Sequence, residues 1–141
     1  MEPLSQCAAI PCVETESGLL VLLITTRGRG RWTIPKGWPK SSVPDSDLAA
    51  REAFEEAGVA GEISGKPIGS FSYTKRLHIF SWVRCRVDVY LLLADRQYLS
   101  WPEKGSRKLM WVEPSKAATL VRETQLADML RSLSRSMVEP R

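Results

Sequence analysis

Three carboxylates and an arginine stand close together near the middle of the chain, at Arg51, Glu52, Glu55 and Glu56. If this stretch is helical, at about 100° per residue Glu55 and Glu56 lie about 60° and about 40° to either side of Glu52. The acids then form a cluster on one face of the helix. Four apolar residues gather on the opposite face, which is suited to a core: Ala50, Ala53, Phe54 and Ala57.

Acids at these spacings repel one another by roughly a few tenths of a kcal/mol per pair on an exposed helix, and the repulsion grows in a cleft. A divalent cation bound among them removes this repulsion. Hard cations such as magnesium take carboxylate oxygens together with substrate phosphates. The pattern therefore suits a divalent-metal site that also takes substrate phosphates. The alternative is an acidic helix face in solvent, which is the ordinary role of a run of charges.

Signals at both ends predict the helix that must position these acids. We expect it to begin near residues 44–46, where Asp45 or Ser46 can cap it. Asp45 and Asp47 also suit the positive end of the helix dipole. Gly58 stands where a helix ends in a left-handed residue.

Strands are predicted on both sides of this helix. They cover residues 6–13, 19–26, 32–34, 63–73, 82–93 and 109–112, with a hairpin tip at 74–78 and two further helices at 114–121 and 123–134. The strand over 63–73 is predicted to have interruptions at Gly65, Pro67 and Gly69. Pro11 indicates an edge or a bulge in the first strand. The order favours an α+β class, with helices on both sides of a mixed sheet, in one domain of residues 1–141.

The central motif resembles the signature of the Nudix hydrolases. That pattern reads Gly, five residues, Glu, seven residues, Arg-Glu, an aliphatic residue, any residue, Glu-Glu, any residue, Gly and an aliphatic residue. Here it runs from Gly37 to Val59, with Ala53 as a small occupant of the aliphatic slot. The one mismatch is Val43, which stands where the pattern has its first Glu. The resemblance implies an α/β/α sandwich, in agreement with the element order.

The resemblance also implies roles for the acids. Glu52, Glu55 and Glu56 stand at metal-binding positions, with Mg2+ as the implied cofactor and Mn2+ as a substitute. Arg51 stands where the family has an arginine that holds a glutamate in place. Family members often use a glutamate before the last strand as general base, and Glu103 is the candidate by location; the alternative is a solvated loop residue. We therefore expect Glu52, Glu55, Arg51 and Glu103 to be catalytic.

Basic side chains are the expected partners of substrate phosphates. The candidates are Arg27, Arg31, Lys36, Lys40, Arg76 and Arg107, together with Gly37, which permits a tight turn or the close approach of a ligand. The segment 27–31 either binds phosphate or forms a solvated hairpin loop. The net charge of +4 and the pI of about 9.1 agree with a polyanionic ligand.

The aromatic residues and the histidine indicate a role in substrate binding or catalysis only weakly. Trp38, Tyr73 and Trp101 either stack on an adenine or pack ordinarily, and packing is the expectation for each. His78 is the one histidine, and we expect it to have no catalytic role. Val43 has three possible consequences. A loop acid such as Asp45 substitutes for the missing Glu, this branch of the family needs no Glu there, or the hydrolytic activity is weakened.

Within the family, the sequence resembles two branches in particular. Pro35-Lys36-Gly37 looks like branches that cleave diadenosine polyphosphates. Residues 31–59, with Arg107 and Lys108 before Trp111, resemble the diphosphoinositol polyphosphate phosphohydrolases. We therefore expect metal-dependent hydrolysis of a phosphoanhydride bond in a nucleoside- or inositol-linked polyphosphate. The alternatives are ADP-ribose, nucleoside triphosphates or capped RNA as substrate, or a binding module that has lost turnover.

The remaining features concern location and partners. Cys7, Cys12 and Cys85 are an odd number with no metal-like spacing, which predicts buried or idle thiols in a reducing cytosol. No leader pattern is visible at the N-terminus, and the longest apolar run, 19–24, is too short to span a bilayer. Without an arginine–aromatic motif, no nucleic-acid partner is expected. We expect a cytoplasmic monomer or homodimer that acts on a small polyphosphate and has no membrane contact.

Overall fold

The structure is a computed structural model, which describes residues 3–138, with side chains to residue 135. Glu2, which contributes to the leader prediction, lies outside these residues. The strands are β1 (Leu4–Thr15), β2 (Gly18–Thr25), β3 (Trp32–Thr33), β4 (Lys36–Gly37), β5 (Val59–Ile63), β6 (Gly69–His78), β7 (Ser81–Gln97) and β8 (Leu109–Val112). The helices are α1 (Asp45–Ala57), α2 (Pro114–Leu120) and α3 (Thr124–Val138).

One mixed sheet forms the centre of the molecule. Its main path runs β3-β2-β1-β7-β5, while β4 pairs with β1, β6 with β7 and β8 with β2. The β1–β7 pair is parallel, from Leu4 opposite Cys85 to Cys12 opposite Leu93. The other pairings between described strands are antiparallel.

Helices cover both faces of this sheet. Along β1, Ala8, Ile10 and Cys12 lie in the core that includes residues of α2 and α3. The alternate residues Cys7 and Ala9 lie in a second core against α1. A strand that is buried on both faces reads as a continuous apolar run rather than an alternating one. The α/β/α sandwich predicted from the sequence is therefore confirmed.

Strand boundaries differ from the prediction around β7. The strand predicted over 63–73 is two strands, because β5 ends at Ile63 and β6 begins at Gly69. Ser64 between them remains tied to β7, since its N–H donates to the carbonyl of Leu91 at 2.9 Å. The predicted hairpin tip at 74–78 belongs to β6. β7 is longer than predicted because it pairs with β1, β5 and β6.

Two local predictions at the ends of elements are wrong. Pro11 marks neither an edge nor a bulge: β1 is central, Pro11 lies opposite Leu92, and antiparallel pairing with β2 begins only at Cys12. The cap of α1 is Pro44 in an extended conformation, with no side-chain hydrogen bond, instead of Asp45 or Ser46. Asp45 and Asp47 do occupy the first turn, as predicted for the positive end of the helix dipole.

The C-terminus of α1 is fixed from several sides. Gly58 adopts the predicted left-handed conformation, with φ 70°, and its N–H donates to the carbonyl of Phe54. The Trp101 ring packs so closely that a Cβ on Gly58 would lie 2.3 Å from it. The side-chain amide of Gln97 donates to the carbonyls of Ala57 and Gly58. The acidic helix therefore ends at a defined point against β7 and the loop that follows.

The three cysteines are free and buried, as predicted. Burial raises the pKa of Cys7 to about 12 and that of Cys12 to about 11, so neither forms a reactive thiolate at neutral pH. Among residues 3–138, no helix combines the length and the apolar character needed to cross a membrane.

Gly58→Ala should destabilise the fold by about 1–3 kcal/mol, because the new Cβ is strained at positive φ and meets the Trp101 ring. Gly65→Ala is the matched control, since its Cβ would meet nothing within 4 Å. Urea unfolding of both variants measures the difference. Equal free energies of unfolding would contradict the assigned role of Gly58.

Candidate active site

A cleft of about 650 Å3 opens beside the acidic face of α1. Its walls come from the loop after β2, from β4, from α1 and from the loop before β8. The charged residues that line it are Arg27, Lys36, Lys40, Glu52, Glu56, Lys75 and Arg107. The structure therefore brings two of the predicted metal ligands together with four of the predicted phosphate-binding cations.

Glu56 is the most deeply buried acid of the cleft, with 5% of its surface exposed. Its Oε1 lies 3.6 Å from Nη2 of Arg107. Burial and the hydrogen-bonded neighbour Glu52 nevertheless raise the pKa of Glu56 far above its ordinary value, against the opposing effect of Arg107 and Lys36. Glu56 therefore releases its proton at a higher pH than an ordinary carboxyl group does.

Gly37 allows the backbone of β4 to approach this pair. A Cβ on Gly37 would lie 2.4 Å from the carboxyl carbon of Glu52. Gly37 has no positive φ and belongs to β4, where it pairs with Cys7 of β1, so the predicted tight turn is wrong. The residue that approaches it closely is Glu52.

Glu55 and Arg51 lie outside the cleft lining. Glu55 is half-buried, and its backbone carbonyl accepts a hydrogen bond from the N–H of Glu103 at 3.0 Å. Arg51 is exposed, and no ion pair among the described residues includes it. The acidic cluster predicted on one helix face is thus divided, with Glu52 and Glu56 on the cleft side.

The two carboxyl groups that line the cleft are its candidate metal ligands. Among residues with described side chains, no group of three or more His, Cys, Asp and Glu is arranged to hold a metal. Magnesium, however, is commonly bound by one or two carboxylates together with substrate phosphates. Two adjoining carboxylates that would otherwise repel each other in a buried site fit that requirement. Glu52 and Glu56 are therefore suitable protein ligands for Mg2+.

Charged side chains link Glu103 to the acid pair. Its Oε1 lies 2.5 Å from Nη2 of Arg27 and 3.1 Å from Nη2 of Arg107, which also faces Glu56. Arg107 is further held by a hydrogen bond to the carbonyl of Thr25 at 3.1 Å. Burial opposes ionisation of Glu103, but the hydrogen bonds from both arginines bring its pKa below the ordinary value. Glu103 is therefore a charged residue that orients two cations.

The loop that carries Glu103 is positioned by the end of α1. The N–H of Tyr98 donates to the carbonyl of Gly58 at 2.8 Å, and the rings of Tyr98 and Phe54 meet edge to face at 5.1 Å. Trp101 packs on Gly58, so it serves packing, as expected. Trp38 lies in the cleft wall and is 41% exposed, so it remains open to a ligand.

A second groove of about 390 Å3 adjoins the cleft, and Lys36 and Lys75 line both. It contains the predicted phosphate-binding residues Arg31 and Arg76, together with Tyr73. Burial lowers the pKa of Lys36. The groove also contains Lys75, Arg122 and Glu123, which were absent from the predicted site. Only Lys75 had a readable signal, since it alternates with Tyr73 on β6.

The remaining predicted positions lie elsewhere. Val43 is half-buried and packs against the core beneath α1 with Leu48, so an apolar contact stands at the place of the first Glu of the motif. Asp45 lies near Cys7 and does not line the cleft, which gives no support to its role as a substitute. His78 is exposed at the end of β6.

The sequence is similar to those of known Nudix hydrolases. No protein-family model matches the chain. The sequence is 27% identical to Nudix hydrolase 13, mitochondrial, of Arabidopsis thaliana over 132 residues, which are 90% of this chain and 65% of that protein. It is 33% identical to diphosphoinositol polyphosphate phosphohydrolase 3-beta of Bos taurus over 108 residues, which are 74% of this chain and 61% of that protein. The chain belongs to the Nudix hydrolase superfamily.

A solved structure agrees at the level of the fold. The crystal structure of the C. elegans Ap4A hydrolase superposes with a TM-score of 0.67, covering 97% of this chain and all of that one, at 14% sequence identity. The chain spans slightly less than two thirds of the length of the two curated Nudix relatives described above. The superfamily likeness therefore covers the domain that carries the cleft.

Stability without metal should depend on pH through the acid pair. A carboxyl group whose pKa is higher in the folded state than its ordinary 4.5 holds its proton when the unfolded chain has released it. Its contribution therefore falls as pH rises from about 4.5 towards the raised folded value. Glu56→Gln should remove this loss and be more stable than the wild type at pH 8 by about 1 kcal/mol.

Urea unfolding between pH 5 and pH 8 in EDTA measures this effect. Glu62→Gln, at an exposed position of β5, is the matched control and should follow the wild type. A Glu56→Gln variant that is less stable than wild type at pH 8, or whose pH slope is unchanged, would contradict the raised pKa assigned to Glu56.

Proposed function

We propose that this chain is a divalent-metal-dependent hydrolase of a phosphoanhydride bond in a nucleoside- or inositol-linked polyphosphate. The observation that carries the proposal is the cleft in which Glu52 and the buried Glu56 face five cationic side chains. The superfamily of the chain supports it, as do the names of relatives that act on diphosphoinositol polyphosphates and on Ap4A.

In this proposal the acidic side chains of the cleft bind the metal and the basic side chains bind the phosphates. Glu52 and Glu56 would hold the metal, and Arg107 keeps Glu56 in position through an ion pair. A bound magnesium ion would polarise a phosphoryl oxygen and lower the pKa of a water molecule. Lys36, Lys40 and Lys75 hold the phosphate oxygens as charge shifts between them in the transition state. Gly37 leaves room for Glu52 beside the phosphate chain.

Glu103 has two candidate roles in this reaction. As the acid in the loop before β8, it stands where the family resemblance places a general base. Its ion pairs with Arg27 and Arg107 favour a positioning role, because a carboxylate held by two guanidinium groups is a weaker base. Glu55 lies next to this network through its backbone and is retained as a proposed metal or catalytic residue.

Alternatives within the class concern the substrate and the location. ADP-ribose, nucleoside triphosphates and capped RNA all present phosphoanhydride bonds to the same cleft. A binding module without turnover is the alternative from another class, and the apolar packing of Val43 is the observation that favours it. We propose a cytoplasmic monomer or homodimer, supported by the three free thiols.

Turnover of a substrate panel with Mg2+ tests the proposal. The panel contains diadenosine tetraphosphate, a diphosphoinositol polyphosphate, ADP-ribose, ATP and capped RNA, with phosphate-containing products measured. Glu56→Gln should lower kcat by at least about 100-fold, because it removes a metal ligand, and Glu55→Gln tests the second acid in the same way. Glu62→Gln is the folded control. Turnover that Glu56→Gln leaves unchanged would refute the site, and no turnover on any compound would favour the binding module.

The role of Glu103 is decided by the pH profile of Glu103→Gln. If Glu103 positions the arginines, the variant should have a KM raised about tenfold, from weakened phosphate contacts, with the acidic limb of kcat in place. Loss of that limb, with kcat reduced by about 100-fold or more, would instead identify Glu103 as the base.

A further inference from the structure

We propose that the tip of the β6–β7 hairpin, residues 74–84, is a docking surface for an anionic lipid bilayer. Its apolar side chains enter the interfacial layer while its basic side chains contact the headgroups. The sequence-based expectation of no membrane contact rests on the lack of a spanning segment, which a peripheral hairpin does not need. The proposal does not depend on the proposed function, since turnover in the cleft requires no bilayer.

The hairpin tip extends beyond the central sheet as a two-stranded ribbon. β6 and β7 remain paired as far as His78 opposite Ser81. The parallel pairing of β7 with β1, however, begins only at Cys85, opposite Leu4. Within the described chain, residues 81–84 of β7 therefore have β6 as their only strand partner. A two-stranded ribbon has little core of its own, so its side chains remain available to an external partner.

Large apolar side chains are exposed along this ribbon. They are Leu77, Ile79, Phe80 and Trp82, with 50%, 66%, 88% and 59% of their surfaces exposed. Ile79 and Phe80 form the turn between the two strands. A contiguous set of exposed hydrophobic residues indicates an interaction site. A narrow tip with aromatic residues suits the membrane interface, where such rings sit at the level of the headgroups.

Charge distinguishes a bilayer from other apolar partners. Between residues 63 and 87 the sequence contains no Asp or Glu, whereas Lys75, Arg76 and Arg84 lie on the ribbon itself. The guanidinium of Arg76 lies 5.4 Å from the ring centroid of Trp82, so positive charge directly adjoins the apolar side chains. Basic residues beside an apolar surface favour anionic lipid headgroups. A second copy of the chain would bring the same positive charges against the tip, and their repulsion would oppose that pairing.

The base of the ribbon is continuous with the two cavities. Lys75 lines the acidic cleft, and Arg76 and Trp82 line the adjoining groove. A bilayer that contacts the tip therefore lies near both cavities. Docking would place the cleft close to an anionic surface without closing it, because Ile79 and Phe80 line neither cavity.

Co-sedimentation of the full chain with lipid vesicles tests the proposal. The vesicles contain phosphatidylcholine alone or phosphatidylcholine with phosphatidylserine, at low and at high ionic strength. Wild type should bind the phosphatidylserine vesicles at least about tenfold more tightly, because several basic residues lie near the surface, and high salt should weaken that binding.

Two variants separate the apolar contribution from the charged one. Phe80→Ala should weaken binding to phosphatidylserine vesicles about tenfold, since inserted apolar surface is lost. Its matched control is Leu99→Ala, because Leu99 is also 88% exposed but lies in the loop before β8. Arg84→Gln should weaken the same binding about fivefold, and Lys116→Gln, exposed on α2, is the control for lost charge.

The outcomes are distinct. If wild type does not bind phosphatidylserine vesicles, or if Phe80→Ala and Leu99→Ala have equal effects, the proposal is overturned. Analytical ultracentrifugation without vesicles tests the other occupant: a dimer that Phe80→Ala dissociates would identify a second copy at the tip and would also overturn it. Neither measurement uses the metal or the substrate panel, so this proposal and the proposed function fail separately.

Discussion

Two carboxyl groups are held side by side in a cleft, away from most of the solvent, and the rest of the site is built around the cost of that contact. Glu52 and Glu56 repel each other once both are charged, and burial of Glu56 increases the cost. Arg107 offsets part of it from 3.6 Å. A proton or a cation must supply the remainder. This requirement makes the cleft selective for ligands that bring positive charge with them or recruit it.

The fold meets this constraint by anchoring the opposite side of α1. Leu48, Ala49, Ala53 and Ala57 are fully buried against the sheet. The apolar face fixes the rotation of the helix, and therefore fixes which acids face the cleft. At the far end, Gly58 and Trp101 lock the helix to the loop before β8. The same loop carries Arg107 and Glu103. The end of the helix and the charged side chains that pair with its acids are therefore positioned together.

Local signals were enough to predict α1 and the sandwich, but not the contacts between distant segments. Gly58 and the apolar spacing of α1 depend on neighbours in the sequence, and both predictions are confirmed. The gap between β5 and β6 falls at the locally predicted interruptions Gly65 and Pro67. The length of β7, by contrast, depends on which strands pair, which no local pattern encodes. Likewise, Glu123 has no sequence signal because the residues that line the groove with it come from β6 and from the loop after β2. Asp45 failed as a cap because Pro44 already holds the extended conformation at that position.

The cleft and the adjoining groove contain several groups that are unfavourable for stability. They are buried charged side chains and buried polar atoms without hydrogen-bond partners. Glu56 is a buried acid with a strongly raised pKa, and Lys36 is a lysine whose pKa burial lowers. Nε of Arg107 and Oε1 of Glu123 are buried without hydrogen-bond partners among the described residues. Each departure costs stability, and natural sequences accept such costs mainly at functional sites. A ligand that carries phosphates and a divalent cation would relieve the costs at Glu56 and Lys36. One occupant thus accounts for acidic and basic groups that would not be placed together for stability alone.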